Sequence, residues 1–317
     1  MYRQKLNKSK EVFKVAAEIS KTFYHEPLIV TYSGGKDSSV IVEIAKEVLN
    51  NSDFVVVNSW TTVDAPETCY FIRDTFKELE TEGIKTQIIM PKKSMWTLIV
   101  ENGIPPTRTS RYCCKALKET TTPNRIIATG VRAAESTGRQ GRDSFSLIGN
   151  TKKDGSHYSL DHAIEVFREA EEAAYQTGKA VNEADVSDCQ MVTAAKENKK
   201  IMVNPIYDWE DSDVWEFIRE EGIKVNPLYE RGYSRVGCVL CPMSSYKDKC
   251  KEIHDFPKYK DLYIMTFDRM LKRRRDKGLP IDDAWINGEA VFDWWIEKYK
   301  HEVKGQMNIG DWLNGSN

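Results

Sequence analysis

The sequence predicts an α/β fold, a parallel sheet with helices on both faces, followed by a helical C-terminal region. Three observations carry that expectation. Short apolar runs alternate with amphipathic stretches through the first half of the chain. The runs are rich in valine and isoleucine with no alternating polar position, as in strands buried on both faces. One of them leads through two glycines directly into a helical pattern, the strand–turn–helix order of an open parallel sheet.

The elements follow in order. Pro27–Thr31 (PLIVT) is a buried strand, and Ser38–Asn50 carries Ile41, Ile44, Ala45, Val48 and Leu49 at helical spacing. Phe54–Val57 is the second strand, and Pro66–Leu79 is a helix with proline in its first turn. Gln87–Met90 is the third strand, Ser94–Glu101 a short helix, Arg111–Lys118 another, and Arg125–Thr129 the fourth strand. Residues 144–198 interrupt this rhythm. Asp161–Ala180 is charged, alanine-rich and helical, and Ala184–Lys200 has no clear period, so the segment reads as an inserted, largely solvated helical excursion. Lys200–Pro205 resumes as a strand. Asp211 or Ser212 then caps a helix running through Val214, Trp215, Phe217 and Ile218. From Pro257 onward the chain reads as helical, with Trp285, Trp294, Trp295 and Trp312 expected in packing. The expected organisation is a domain over 1–245 with a helical region over 246–317 packed on it.

Composition excludes several classes. The chain has 317 residues, 40% of them apolar, enough for a sizeable core. No apolar run approaches the roughly 18–20 residues of a membrane span. The opening MYRQKLNKSK lacks the apolar stretch of a signal peptide. A cytoplasmic chain is therefore expected. Its net charge of −2 gives no global basic excess for nucleic acid. The five histidines fall at no metal-ligand spacing, which leaves a histidine-metal hydrolase unsupported. Seven cysteines in such a chain read as metal, cluster or catalytic residues, or as small buried hydrophobes, rather than as a disulfide framework.

The first informative motif is Ser33-Gly34-Gly35-Lys36-Asp37-Ser38, between a strand and a helix. Two glycines let the backbone turn tightly, and a helix N-terminus offers unpaired N–H donors and a positive dipole end. Ser33 and Ser38 add hydroxyls, Lys36 adds charge, and Asp37 among phosphates suits a Mg²⁺. The spacer of a Walker A loop is missing. The second motif is split between Cys113-Cys114 and Cys238-x-x-Cys241. Four thiolates suit a tetrahedral zinc or an iron–sulfur cluster. Adjacent cysteines point apart, which strains chelation of one ion but matches separate corners of a [4Fe–4S] cluster. The alternative is that one of the pair is buried packing and the CxxC is a zinc or redox half-site. Arg132, Arg139 and Arg142 follow a strand end and present forked donors for phosphate or sulfate oxygens.

These residues carry a resemblance. Val30–Ser39, VTYSGGKDSS, resembles the pyrophosphatase (PP) loop of the adenine nucleotide alpha-hydrolase fold. The cysteine pattern resembles the phosphoadenosine phosphosulfate reductase family, closest to its cluster-bearing adenylyl sulfate reductases and DNA phosphorothioation sulfurtransferases. Gly130-Val131-Arg132 with Glu135-Ser136, Asn204–Trp209, Asp213-Val214-Trp215 and Asn226–Tyr229 extend it over about residues 25–245. The resemblance implies ATP or a related adenylate bound at Ser33, Gly34, Gly35, Lys36, Asp37 and Ser38. Thr61, Gly130, Arg132, Glu135, Ser136, Arg139 and Arg142 would line the nucleotide, with Lys36, Asp37 and Arg132 catalytic. It also implies a [4Fe–4S] cluster (zinc being the alternative) on Cys113, Cys114, Cys238 and Cys241. Partners would be a sulfur donor or a thiol reductant protein, with nucleic acid as an acceptor. The basic cluster Lys272-Arg273-Arg274-Arg275 reads either as a contact for nucleic acid phosphates or as a solvated helix face.

Two departures bear on the reaction. Classical reductases of the family carry a tail motif Glu-Cys-Gly-Leu-His whose thiolate is the nucleophile, and no cysteine follows Cys250 here. Cys250, flanked by Lys249 and Lys251, reads either as a substitute thiol or as an incidental surface cysteine. The family's Asp-Thr-Gly after the second strand is also absent, leaving Thr61 or Thr62 as the hydroxyls there. The leading expectation is an ATP pyrophosphatase and sulfurtransferase. The alternatives are a reductase with a non-standard thiol and a non-catalytic nucleotide sensor with a structural metal.

Overall fold

The computed structural model describes residues 2–135, 145–148 and 200–297, with isolated helical positions at 164, 165, 168, 169, 172 and 176. Ser136, Arg139, Arg142, Cys189, Trp312 and the stretch 184–198 lie outside the described residues. The chain groups into two compact units that interleave along the sequence. The first is Met1–Ser59, Pro66–Ile89 and Thr121–Val236, and the second is Trp60–Ala65, Met90–Thr120 and Gly237–Asn317. The sequence reading draws a single boundary at 245 instead.

The first unit is built on β1 (Leu28–Thr31), β2 (Phe54–Ser59), β3 (Lys85–Ile89), β4 (Ile126–Ala128), β5 (Phe145–Ile148) and β6 (Lys200–Val203), in spatial order β3-β2-β1-β4-β6-β5. Five strands are parallel, and β5 runs antiparallel to β6 at the edge. Helices α1 (Tyr2–Tyr24), α2 (Lys36–Val48), α3 (Pro66–Thr81) and α6 (Asp211–Glu220) flank this sheet. Side chains alternate across a strand. Leu28, Val30, Phe54, Val56, Ile126, Ala128, Ile201 and Val203 accordingly join one core with α1 and α2, while Ile29, Val57 and Ile127 form a cluster of their own. Apolar side chains on both faces explain why the strands read as continuous apolar runs.

Three differences from the sequence reading have physical causes. The apolar spacing predicts no element before Pro27, yet α1 fills that stretch, burying Val12, Phe13, Ala16 and Ile19 along one stripe. Its five lysines and two glutamates are interspersed with that stripe and hide it. The excursion after 144 begins as strand rather than helix, because Phe145–Ile148 finds an antiparallel partner in β6. The cap of α6 is Glu210, not Asp211 or Ser212. The Glu210 N–H donates to Asp213 Oδ2 at 2.8 Å, and Asp211 is already the first helical residue.

The second unit is helical among its described residues: α4 (Met95–Asn102), α5 (Tyr112–Cys114), α7 (Tyr246–Asp255), α8 (Pro257–Asp276) and α9 (Gly288–Glu297). Helix α5 runs on as a π turn over Lys115–Glu119, so the helix expected over 111–118 is present but wider than an α-helix. Trp295 is fully buried against Tyr263, 4.9 Å between ring centroids, and its Nε1–H donates to the Pro106 carbonyl at 2.7 Å. Trp285 and Trp295 are thus packing residues. No helix among the described residues is long and apolar enough to cross a membrane.

Phe13 is fully buried in the core that α1 shares with the sheet. Phe13→Ala should lower unfolding free energy by about 3–5 kcal/mol in urea titrations. A loss under about 1 kcal/mol would mean that α1 contributes little to that core.

Candidate functional site

The loop between β1 and α2 is shaped from within. Gly34 has φ +74°, a left-handed conformation that a side chain resists. Ser38 Oγ donates to the Gly35 carbonyl at 2.7 Å and accepts from the Ser33 N–H at 3.1 Å and the Ser33 hydroxyl at 3.2 Å. Both serine hydroxyls therefore brace the turn. The Lys36 N–H donates to the Tyr229 hydroxyl at 2.8 Å.

Two buried cations meet at this loop. Lys36 is 6% exposed and Arg132 3%. Lys36 Nζ lies 3.1 Å from Asp37 Oδ2 and 3.0 Å from Asp211 Oδ1. Arg132 donates from Nε to Asp37 Oδ1 at 2.6 Å, from Nη2 to Asp211 Oδ1 at 2.8 Å and from Nη1 to the Trp209 carbonyl at 3.2 Å. Burial works against the guanidinium charge, and Asp37 overcomes it, so its pKa is raised. For Asp211, partial burial is outweighed by Lys36 and Arg132, which hold its carboxyl below the usual range.

Strand ends bring these groups together. Arg132 follows β4 by a few residues, and Glu135 Oε2 accepts from its backbone N–H at 3.2 Å. Thr129 donates to Asn204 Oδ1 at 2.5 Å, joining the exits of β4 and β6. The site thus sits beyond the carboxyl ends of the strands, where open α/β sheets place their ligands. The structure unites Lys36, Asp37, Gly130 and Arg132. It adds Asp211 and Tyr229, which the sequence reading assigns to a cap and a motif, not to the site. Thr61 belongs to the second unit, beside a cysteine. There it is buried, accepting from Cys238 Sγ at 3.4 Å.

That second unit gathers the four cysteines. Cys113 and Cys114 form the end of α5. Cys238 pairs with Asp64 in an antiparallel bridge, and Val239 N–H donates to the Val63 carbonyl at 2.8 Å. The turn continues with Cys241 N–H on the Cys238 carbonyl at 3.2 Å. Buried Lys249 donates to the Ser244 carbonyl at 2.7 Å, Arg108 Nε to the Pro242 carbonyl at 3.2 Å, and Tyr263 to the Val239 carbonyl at 3.2 Å. Glu252 accepts the Leu240 N–H at 2.6 Å. The thiols sense one another. A hydrogen bond with Cys114, burial, and the charges of Cys114, Cys238 and Cys241 push Cys113 up. That same bond, helped by Lys118 and Arg111, brings Cys114 down to about 6. Burial raises Cys238 to about 11 against the pull of Lys118. Among the described residues no three His, Cys, Asp or Glu side chains converge as a single-ion site.

Two further candidates are placed. Cys250 is exposed on α7. In the basic cluster, Arg274 Nη1 donates to the Gly103 carbonyl at 2.7 Å and Arg275 Nη2 to the Ile286 carbonyl at 3.4 Å, so two of its four cations bind the protein itself.

Comparison with known proteins agrees with these features. Residues 27–244 match the phosphoadenosine phosphosulfate reductase domain, and the chain belongs to that family. It is 23% identical over 285 residues to an uncharacterised protein of Methanocaldococcus jannaschii, across 86% of this chain and 55% of that one. The chain spans about half the length of the curated relatives it matches along most of its own. A segment of 39 residues is 44% identical to an adenosine 5′-phosphosulfate reductase of Allochromatium vinosum, 12% of this chain and 15% of that one. A U34-tRNA thiolase of Methanococcus maripaludis, solved with its [4Fe–4S] cluster, aligns at TM-score 0.41 and 13% identity over 88% of this chain and 82% of that chain.

Gly130 is the point of closest approach to the loop. A Cβ there would lie 2.9 Å from the Asp37 carbonyl carbon and 3.0 Å from its oxygen. Gly130→Ala should cost about 1–3 kcal/mol of stability, read by chemical denaturation. An unchanged unfolding midpoint would show that the backbone yields there.

Proposed function

We propose that the chain binds ATP or a related adenylate at Ser33–Ser38 and acts as an iron–sulfur-dependent ATP pyrophosphatase and sulfurtransferase. The observation that carries this reading is the pair of buried cations, Lys36 and Arg132, set at strand ends beside a helix N-terminus. In the proposed step an acceptor oxygen attacks the α-phosphorus, the bond to the bridging oxygen breaks, and pyrophosphate leaves with the electron pair. Lys36 and Arg132 would bind the oxygens on which that negative charge accumulates. Arg132 suits the role because its planar donors match two oxygens at once.

Cys113, Cys114, Cys238 and Cys241 fit a [4Fe–4S] cluster better than zinc. They come from two segments of one unit and feel one another's charge, and the adjacency of Cys113 and Cys114 strains chelation of one ion while suiting separate corners of a cluster. When bound, such a cluster supplies redox and sulfur chemistry. Thr61, at Cys238 Sγ, and Lys118 would then border it. A Mg²⁺ accompanying the nucleotide is held chiefly by phosphate and water. Both oxygens of Asp37 accept from cations, so in this reading it is the holder of Lys36 and Arg132. A nucleic acid acceptor would have Lys272 and Arg273 to meet it. A reductase reading is favoured by the family match and by the local likeness to an adenosine 5′-phosphosulfate reductase, and it would take the exposed Cys250 as its thiol.

Anaerobic purification should give about four iron and four sulfide per chain. One zinc without sulfide would overturn the cluster. Lys36→Ala should cut pyrophosphate release from ATP by about 100-fold or more with the fold intact, and unchanged release would remove the loop from the reaction. Thioredoxin-dependent sulfite release abolished by Cys250→Ser would replace this reading with the reductase.

A further inference from the structure

We propose that Asp211 is a resident stand-in for phosphate: its carboxylate occupies the loop's two buried cations, and a nucleotide enters by displacing it. The inference rests on the reading of Ser33–Ser38 as a nucleotide site and adds the residue whose displacement lowers the affinity of an incoming anion.

Burial separates the roles of the two carboxylates. The Asp37 side chain is 19% exposed, and that of Asp211 63%. Lys36 and Arg132 are nearly closed off from water, so Asp211 meets them from the solvent side. A single oxygen, Asp211 Oδ1, accepts from Lys36 Nζ at 3.0 Å and from Arg132 Nη2 at 2.8 Å. A phosphate oxygen shared by a lysine and an arginine would accept in the same way. Asp37 holds Arg132 through a different nitrogen, Nε, and keeps that contact when Asp211 leaves.

The helix end that Asp211 occupies does not depend on its carboxylate. Its cap is Glu210, paired with Asp213, which accepts the Glu210 N–H. Turning the Asp211 side chain outward therefore leaves α6 capped. It exposes two cations balanced by one carboxylate, a site with net positive charge. An anion that offers no more charge than a carboxylate gains nothing by the exchange, whereas pyrophosphate or a nucleotide tail does. The same exchange runs backward at product release, when Asp211 returns to Lys36 and Arg132 as pyrophosphate departs.

The test is calorimetric titration of the full chain with pyrophosphate and, separately, with sulfate. Asp211→Asn should tighten pyrophosphate by about fivefold or more, the scale of a partly exposed ion pair. Sulfate should tighten by a similar factor, because displacing Asp211 is a cost common to both anions. Asp211→Ser repeats the measurement should asparagine disturb α6, with thermal melting confirming the fold of each. If both variants bind pyrophosphate no more tightly than the parent while Lys36→Ala abolishes binding, the stand-in is overturned and the loop reading stands. If neither the parent nor either variant binds pyrophosphate, both readings fall.

Discussion

Two positive charges have been taken out of water at the carboxyl edge of the sheet, and much of the first unit's chemistry depends on keeping them there. Burying an ion costs several kcal/mol unless partners are placed to receive it. Lys36 comes from the first turn of α2, Arg132 from the exit of β4, and their partners from α2 and α6. No local stretch of sequence assembles that group. It requires β1 beside β4 and β4 beside β6 in parallel register, with Val30 opposite Ala128 and Ala128 opposite Val203. Gly130 is then less a loop residue than a clearance, since any side chain would push β4 away from Asp37.

The cysteine unit meets a related demand with different means. Along its turn from Cys238 to Ser244, side chains from elsewhere in the unit receive or supply backbone hydrogen bonds. Lys249, Arg108 and Tyr263 each donate to one of its carbonyls, and Glu252 takes an N–H. Buried lysine and glutamate in such roles fix the spacing of Cys238 and Cys241 against the core, not against solvent. A charged scaffold around a soft thiol pair makes the surroundings of this turn polar, and a fully satisfied polar network of that kind is rigid.

Much of the fold is legible because it is written in local period. The strands announce themselves as valine- and isoleucine-rich runs, and α3 through Pro66 and its apolar spacing. The loop is legible because SGGKDS combines turn, donor and charge in six residues. Helix α1 is not, since a narrow buried stripe is diluted by charge on its outer face. Asp211 is misread for a deeper reason. An aspartate ahead of a helical run has the form of a cap, and only the fold reveals that its carboxylate reaches Lys36 and Arg132 while Glu210, paired with Asp213, does the capping.

The interleaving of the two units has a bearing on how the chain acquires its structure during synthesis. The central sheet order places β6 against β4, and Trp209, just ahead of α6, donates its indole N–H to the Ser9 hydroxyl of α1 at 3.1 Å. Helix α1, made before any strand of its unit, packs with β1 and α2 first and gains this contact only from one of the latest elements. Contacts of such long sequence separation slow folding and leave apolar faces uncovered meanwhile. Until β4 is made, β1 is a bare edge of the β3-β2-β1 order. A chaperone that shields that edge until β4 arrives would have a physical reason to bind there.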